Sequence, residues 1–171
     1  MFTPSSSASP KSIRLDLQTF IELLPHYNLR SAAVSGWSVG QQMEHTTKAT
    51  RLALKLIQSD QDPPEGVEPA GLLAALVLLI GRFPKGRKAP EGVMPIGINE
   101  KENREYIEQI VKMIDEIAPK SDILDLDTRK YLHPRLNGLT KREWLRFVAV
   151  HQRHHLRIIN RIIAAAIPPA A

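Results

Sequence analysis

Trp144-Leu145-Arg146-Phe147-Val148-Ala149-Val150-His151-Gln152-Arg153-His154-His155-Leu156-Arg157-Ile158 carries apolar residues and histidines at helical spacing. Thr140, with Glu143 three residues on, is a capping box that opens a helix continuing to about Ala165, ahead of Pro168-Pro169. At about 100° per residue, His155 falls roughly 40° from His151, and Trp144, Phe147, Ile158 and Ile162 all lie within about 40° of it. Both histidines therefore sit in the middle of an apolar stripe, one turn apart, and His154 stands at its edge. Imidazoles at i and i+4 on one face can share an ion. Two neutral imidazoles side by side compete for partners and two charged ones repel; a divalent metal removes both problems by taking neutral nitrogens. From spacing alone, a pair that hydrogen-bonds core carbonyls or lines a cleft remains the alternative.

The same helix carries Lys141, Arg142, Arg146, Arg153, Arg157 and Arg161 against Glu143, a net charge equal to the +5 of the whole chain. Arg142, Arg146 and Arg153 lie opposite His151, which predicts a solvent-facing ridge. No nucleic-acid motif accompanies it, so no nucleic-acid partner is expected.

Working outward, three more long helical segments can be read. Ile13, Leu17, Phe20, Ile21 and Leu24 repeat at helical spacing and are checked by Pro25. Ser38 with Gln41 is a second capping box, opening a helix to about Gln58 with His45, Ala49, Leu52 and Leu56 on one stripe; Asp62-Pro63-Pro64 forbids continuation. Asn99 with Glu102 opens a third, carrying Ile107, Ile110, Val111, Ile114 and Ile117 and stopped by Pro119. Between the second and third lie a short apolar helix at 71–81 and a loop from Phe83 to Ile98 that is rich in proline and glycine. A polar connection containing His133-Pro134 and Gly138 leads to the last helix. His45 sits on the inward stripe about two turns into its helix, level with His151 if the two helices pack together.

Composition sets the outer bounds. The 171 residues suit one domain, and 43% hydrophobic with only 5% aromatic residues favours helices over a sheet sandwich. No cysteine is present, which excludes disulfides, thiolate ligands and a cysteine nucleophile; any thiol chemistry must borrow its thiol. Residues 1–12 read as a disordered Ser/Pro-rich tail without the apolar core of a signal peptide, and 167–171 as a second tail. The longest apolar run, Leu72–Ile80, falls well short of the about 20 residues of a membrane span, so no membrane association is expected and a cytoplasmic location is.

Three motifs together resemble the DinB-like superfamily. Trp37-Ser38-Val39-Gly40-Gln41-Gln42-Met43-Glu44-His45 looks like its first ligand motif, and His151-Gln152-Arg153-His154-His155-Leu156 like its second. The intervening His133-Pro134-Arg135-Leu136-Asn137-Gly138-Leu139-Thr140-Lys141-Arg142-Glu143-Trp144, with the Phe83-Pro84 to Pro95 loop, is similar to a branch filed as a domain of unknown function. The resemblance runs from about Ile13 to Ile163. It implies an all-α fold over 13–166, a four-helix bundle with an unusual connection order, an extra short apolar helix and long Pro/Gly-rich crossovers. It also implies a three-histidine site, His45, His151 and His155, for nickel, zinc, iron or a similar divalent metal. Members of the superfamily include S-transferases and isomerases that use low-molecular-weight thiols, and metal-dependent hydrolases.

Three nitrogen ligands leave coordination positions open, as in catalytic sites. The expected function is therefore a metal-dependent S-transferase using a small-molecule thiol. A metal-dependent hydrolase and a non-catalytic, stress-associated metal-binding module are the alternatives. Gln41, one turn before His45, His133, extended before proline, and His154 are the further candidates for backing a ligand or facing substrate. Trp37 reads as a packing anchor, Glu44 as an ion-pair partner of Lys48, and Lys85-Gly86-Arg87-Lys88 as a solvated charge run. The helix at 71–81 is the candidate interface of a homodimer.

Overall fold

The computed structural model describes residues 8–81, 83 and 88–167. Five α-helices follow one another: α1 (Pro10–Glu22), α2 (Val39–Gln58), α3 (Leu72–Ile80), α4 (Glu100–Ile117) and α5 (Lys141–Ala166). The capping boxes at Ser38/Gln41, Asn99/Glu102 and Thr140/Glu143 all form, each side chain accepting from the backbone three residues away. A fourth, Ser9 with Ser12, starts α1 at Pro10, where the missing proline N–H costs nothing. Residues 10–12, expected in the tail, are thus the first turn of a helix; residues 1–7 and 168–171 lie outside the described residues.

Side-chain contacts give the helix directions. Gln42 meets His155 at one end of the α2/α5 pair and Lys141 reaches the Ser59 carbonyl at the other, so these two helices run antiparallel. Asn103 bonds the Gly40 carbonyl and Gln58 bonds Glu116, so α2 and α4 run parallel. Parallel neighbours need a long return, and residues 59–99 supply it, with α3 inside. The fold is all-α apart from a small antiparallel hairpin, β1 (Tyr131–His133) with β2 (Asn137–Leu139), in the stretch read as a polar connection. Three residues per strand are too few for an alternation to register in the sequence. The hairpin is pinned where Gly138 N–H donates 2.8 Å to the Glu68 carbonyl.

Ile13, Leu17 and Phe20 of α1, Met43 and Leu54 of α2, Ile107, Ile110 and Ile114 of α4, and Leu145 and Ile159 of α5 are buried together. Leu52, read on the inward stripe of α2, is instead 54% exposed beside a cavity. The arginine ridge of α5 is not simply solvated either. Arg146 donates to the Leu78 carbonyl, Arg153 pairs with Asp16 of α1, and Arg157 reaches the Gly81 carbonyl, so these cations fasten α1 and α3 to α5. On α3, Leu72, Leu79 and Ile80 are exposed. No helix among the described residues is long and apolar enough to cross a membrane.

Gly40 lies where α2 leaves its cap, under the ring of Tyr27, whose hydroxyl bonds the Ile98 carbonyl. A Cβ on residue 40 would stand 2.3 Å from that ring. Gly40→Ala is therefore expected to cost about 1–3 kcal/mol of stability, read by urea unfolding. A loss under about 0.5 kcal/mol would show that Tyr27 moves aside freely.

Candidate metal centre

His45 comes near the start of α2, while His151 and His155 come from the middle of α5, which runs the other way. The three rings converge on one point. His151 Nε2 lies 3.3 Å from His45 Nε2 and 3.2 Å from His155 Nε2, and one ligand nitrogen from each residue falls within 4.8 Å of the other two. All three side chains are buried, between 5% and 8% exposed. Among the described residues no other three histidine or acidic groups converge in this way.

The outer nitrogens settle the tautomers. His45 Nδ1 is 2.9 Å from the Val93 carbonyl, which can only accept, so Nδ1 carries the proton and Nε2 presents a lone pair. His155 Nδ1 is 2.6 Å from Gln42 Oε1, and the Gln42 amide nitrogen donates to Ser35 Oγ, so the oxygen faces the imidazole. His155 Nε2 therefore also presents a lone pair. A neutral His151 has one proton at most for its Nε2, and it can satisfy only one of these two neighbours. A second lone pair is left facing a nitrogen across van der Waals distance.

A cation resolves this arrangement where a proton does not. Two nitrogens bound tetrahedrally to zinc at about 2.05 Å stand ~3.3 Å apart, the spacing already present between His151 and each of the other two ligands. The rings are also kept neutral, as ligands must be. Burial holds all three imidazoles below the ordinary histidine pKa, and neighbouring imidazoles push two of them lower still: His45, His154 and His133 act on His151, and His151, His45 and His154 on His155. The hydrogen bond to Val93 partly offsets the effect for His45. The residues fit a divalent metal held through three Nε2 atoms.

Above the cluster opens a cavity of about 410 Å³. Its walls include Trp37, Leu73, Val77, Phe83, Trp144 and Phe147. Trp37 stands 5.1 Å from the His45 ring, Phe83 packs edge-on to His151 at 5.6 Å, and Phe147 stacks on His151 at 5.3 Å. His133 and His154 both line the cavity without joining the cluster. Lys88 lines it too; Lys85, Gly86 and Arg87 lie outside the described residues.

Two functional side chains on α2 differ from expectation. Gln41 does not back a ligand, because its side chain is spent on the Ser38 backbone N–H in the capping box. Its neighbour Gln42, only 2% exposed, takes that place. The signal was available: Gln42 lies three residues before His45, on nearly the same helix face. Glu44 does pair with Lys48, at 2.7 Å, but its larger task is elsewhere. Fully buried, it accepts from the backbone N–H groups of Ile96, Gly97 and Ile98 at 2.8, 2.9 and 3.2 Å. Burial works to raise the carboxyl pKa, but the Ile96 and Gly97 N–H groups and the Lys48 ammonium outweigh it and hold the group below the usual range. The crossover carrying Val93 is thereby tied to the residue next to His45.

Removing an outer partner weakens a metal ligand without deleting it. Gln42→Ala is expected to lower metal affinity by about 10–100-fold, measured by competition with a chromophoric chelator. Affinity within twofold of wild type would show that Gln42 does not orient His155.

An antiparallel helix pair presents three inward imidazoles that could hold a metal ion beneath an apolar cavity in a helical bundle. The chain belongs to the DinB superfamily, whose family model matches residues 14–159. No curated protein and no solved structure matches the chain.

Proposed function

We propose that this protein is a metal-dependent transferase that joins a low-molecular-weight thiol to an apolar electrophile. The observation that carries the reading is the convergence of three neutral imidazoles at the floor of a cavity wide enough for a small substrate. A divalent ion such as nickel, zinc or iron, held by His45, His151 and His155, supplies the Lewis acidity that turns a thiol into a nucleophile at neutral pH. The chain's own residues do the rest. Val93 and Gln42 hold two imidazoles in the ligating tautomer, and the aromatic walls exclude water and receive the apolar part of the electrophile.

One feature of the lining favours a thiol over water as nucleophile, and because the chain has no cysteine that thiol comes from a second substrate. No aspartate or glutamate among the described residues lines the cavity to act as general base on water. A reduced thiol pool suits a cytoplasmic setting.

The test uses one preparation purified without chelator. Elemental analysis is expected to find a transition metal near one per chain. Thiol conjugation to an activated aryl halide is expected to disappear on chelation and to return with nickel or zinc. Ester and amide hydrolysis on the same sample would instead favour the hydrolase. Full metal with every arm blank would favour a binding module. Metal near zero that does not recover on reloading would overturn the metal-centred reading itself.

A further inference from the structure

His133 lines the cavity, stands outside the three-imidazole cluster, and is fixed in what it offers. Its Nδ1 accepts from the backbone N–H groups of Arg135 and Leu136, both at 3.1 Å, closing the turn between β1 and β2. An accepting nitrogen carries no proton, so the neutral ring must carry it on Nε2. Trp144 and Phe147 grip the ring at centroid distances of 4.7 and 4.5 Å, leaving it 8% exposed. Burial lowers its pKa to about 4. A proton on Nδ1 would in addition confront two backbone donors, so His133 remains a neutral, oriented N–H donor at physiological pH. No protein group among the described residues accepts from Nε2, and the atom is not sealed inside the protein as the unpartnered amide oxygens of Asn103 and Gln152 are. A buried donor without a protein acceptor, on the wall of a cavity, is matched to an acceptor on a ligand.

Among the described residues, the charged side chains lining the cavity are of one sign. The exposed Lys88 and Arg135 contribute to its lining and are joined where Arg135 Nη2 donates 2.8 Å to the Lys88 carbonyl. With no acidic side chain among the described lining residues, nothing there repels an anion.

We propose that His133 is a ligand-positioning residue whose Nε2–H donates to a carboxylate oxygen of an apolar carboxylic acid bound in the cavity. The inference rests on the cavity being the substrate site of the proposed transferase, and it adds that the electrophile carries a carboxylate away from its reacting carbon, and names the residue that holds it. The carboxylate oxygen takes the His133 donor, the apolar body lies against the aromatic walls, and the cationic edge admits the acid.

The probe is phenylbutyrate, with phenylbutylamine as its cationic counterpart, titrated into protein of measured metal content by calorimetry and by ¹H–¹⁵N NMR of the imidazoles. Wild type is expected to bind the acid saturably and more tightly than the amine, with the His133 Nε2–H resonance moving as it saturates. His133→Asn keeps an oxygen where Nδ1 accepts the turn's N–H groups and deletes the far donor together with the ring's packing on Trp144 and Phe147. It is expected to fold with a lowered melting temperature and to lose affinity roughly tenfold. The proposal is overturned if phenylbutyrate shows no saturable binding at millimolar concentration, if acid and amine bind alike, if the Nε2–H resonance is absent or unmoved, or if the asparagine variant folds and binds as tightly as wild type. The NMR readout on wild type decides even if the variant unfolds. Metal content separates the two readings: a metal-free protein showing the His133 shift loses the metal reading alone, and a metal-loaded one without it loses this inference alone.

Discussion

Replacing His151 with alanine is expected to leave a protein that folds but no longer retains a metal ion. His151 is the shared neighbour of the cluster: its Nε2 faces both His45 and His155, whose Nε2 atoms it brings to a common point. Deleting it leaves two ligands on opposite helices, and the loss of affinity should exceed the about 10–100-fold of an outer-partner variant such as Gln42→Ala. Elemental analysis should fall from near one ion per chain to near zero. Linkage gives a second readout. An ion at about a thousand times its dissociation constant stabilises the fold by about 4 kcal/mol, or roughly 8–16 °C for a chain of this size. Wild type should show that rise on adding nickel or zinc, and His151→Ala should show almost none. The rise on metal addition is the informative quantity, because the substitution also removes the stacking of His151 on Phe147 and so moves the metal-free baseline. Equal metal-induced rises in both proteins would mean that the ion sits elsewhere.

The parts of this centre were unequally legible in the sequence. His151 and His155 announce themselves because helical periodicity is local: residues i and i+4 share a face whatever the tertiary fold. His45 was legible as an inward position, but its meeting with the other two depends on α2 running antiparallel to α5, which the resemblance carried and periodicity did not. The capping boxes are readable for the same local reason. Gln41 reads as a residue behind the site from its spacing to His45, although the box claims its side chain. Glu44 shows the limit most clearly. Its i+4 partner Lys48 could be read, but its three backbone partners lie 52 to 54 residues on in an aperiodic loop. Leu52 fails in the opposite sense: its stripe is real, but it borders a cavity rather than the core. His133 was visible as an extended residue before proline; the turn that fixes its tautomer is a tertiary fact.

The second large effect is expected at Glu44. Glu44→Ala removes a buried carboxylate that satisfies three backbone N–H groups and the Lys48 ammonium. Stripping one side of a buried charge-assisted network should cost about 3–5 kcal/mol, measured by urea unfolding. Glu44→Gln keeps an acceptor oxygen and should cost less, about 1–2 kcal/mol. Metal affinity should fall with stability in the alanine variant, because the same crossover delivers the Val93 carbonyl to His45. That joint loss is the signature. A variant as stable as wild type, or one destabilised with metal affinity intact, would show that the loop keeps its place without Glu44.

The crossover is thus fastened to two consecutive residues of α2, His45 through Val93 and Glu44 through Ile96, Gly97 and Ile98. Its amide protons at 96–98 are protected by a side chain rather than by a helix or a sheet. Their exchange with solvent deuterium therefore reports detachment of the loop, a smaller event than unfolding of the bundle. The three amides should exchange as one unit, faster than those of α5, and the same opening that frees them should release His45 from the carbonyl that fixes its tautomer. The pace of this segment's breathing then sets how quickly the centre can let an ion go.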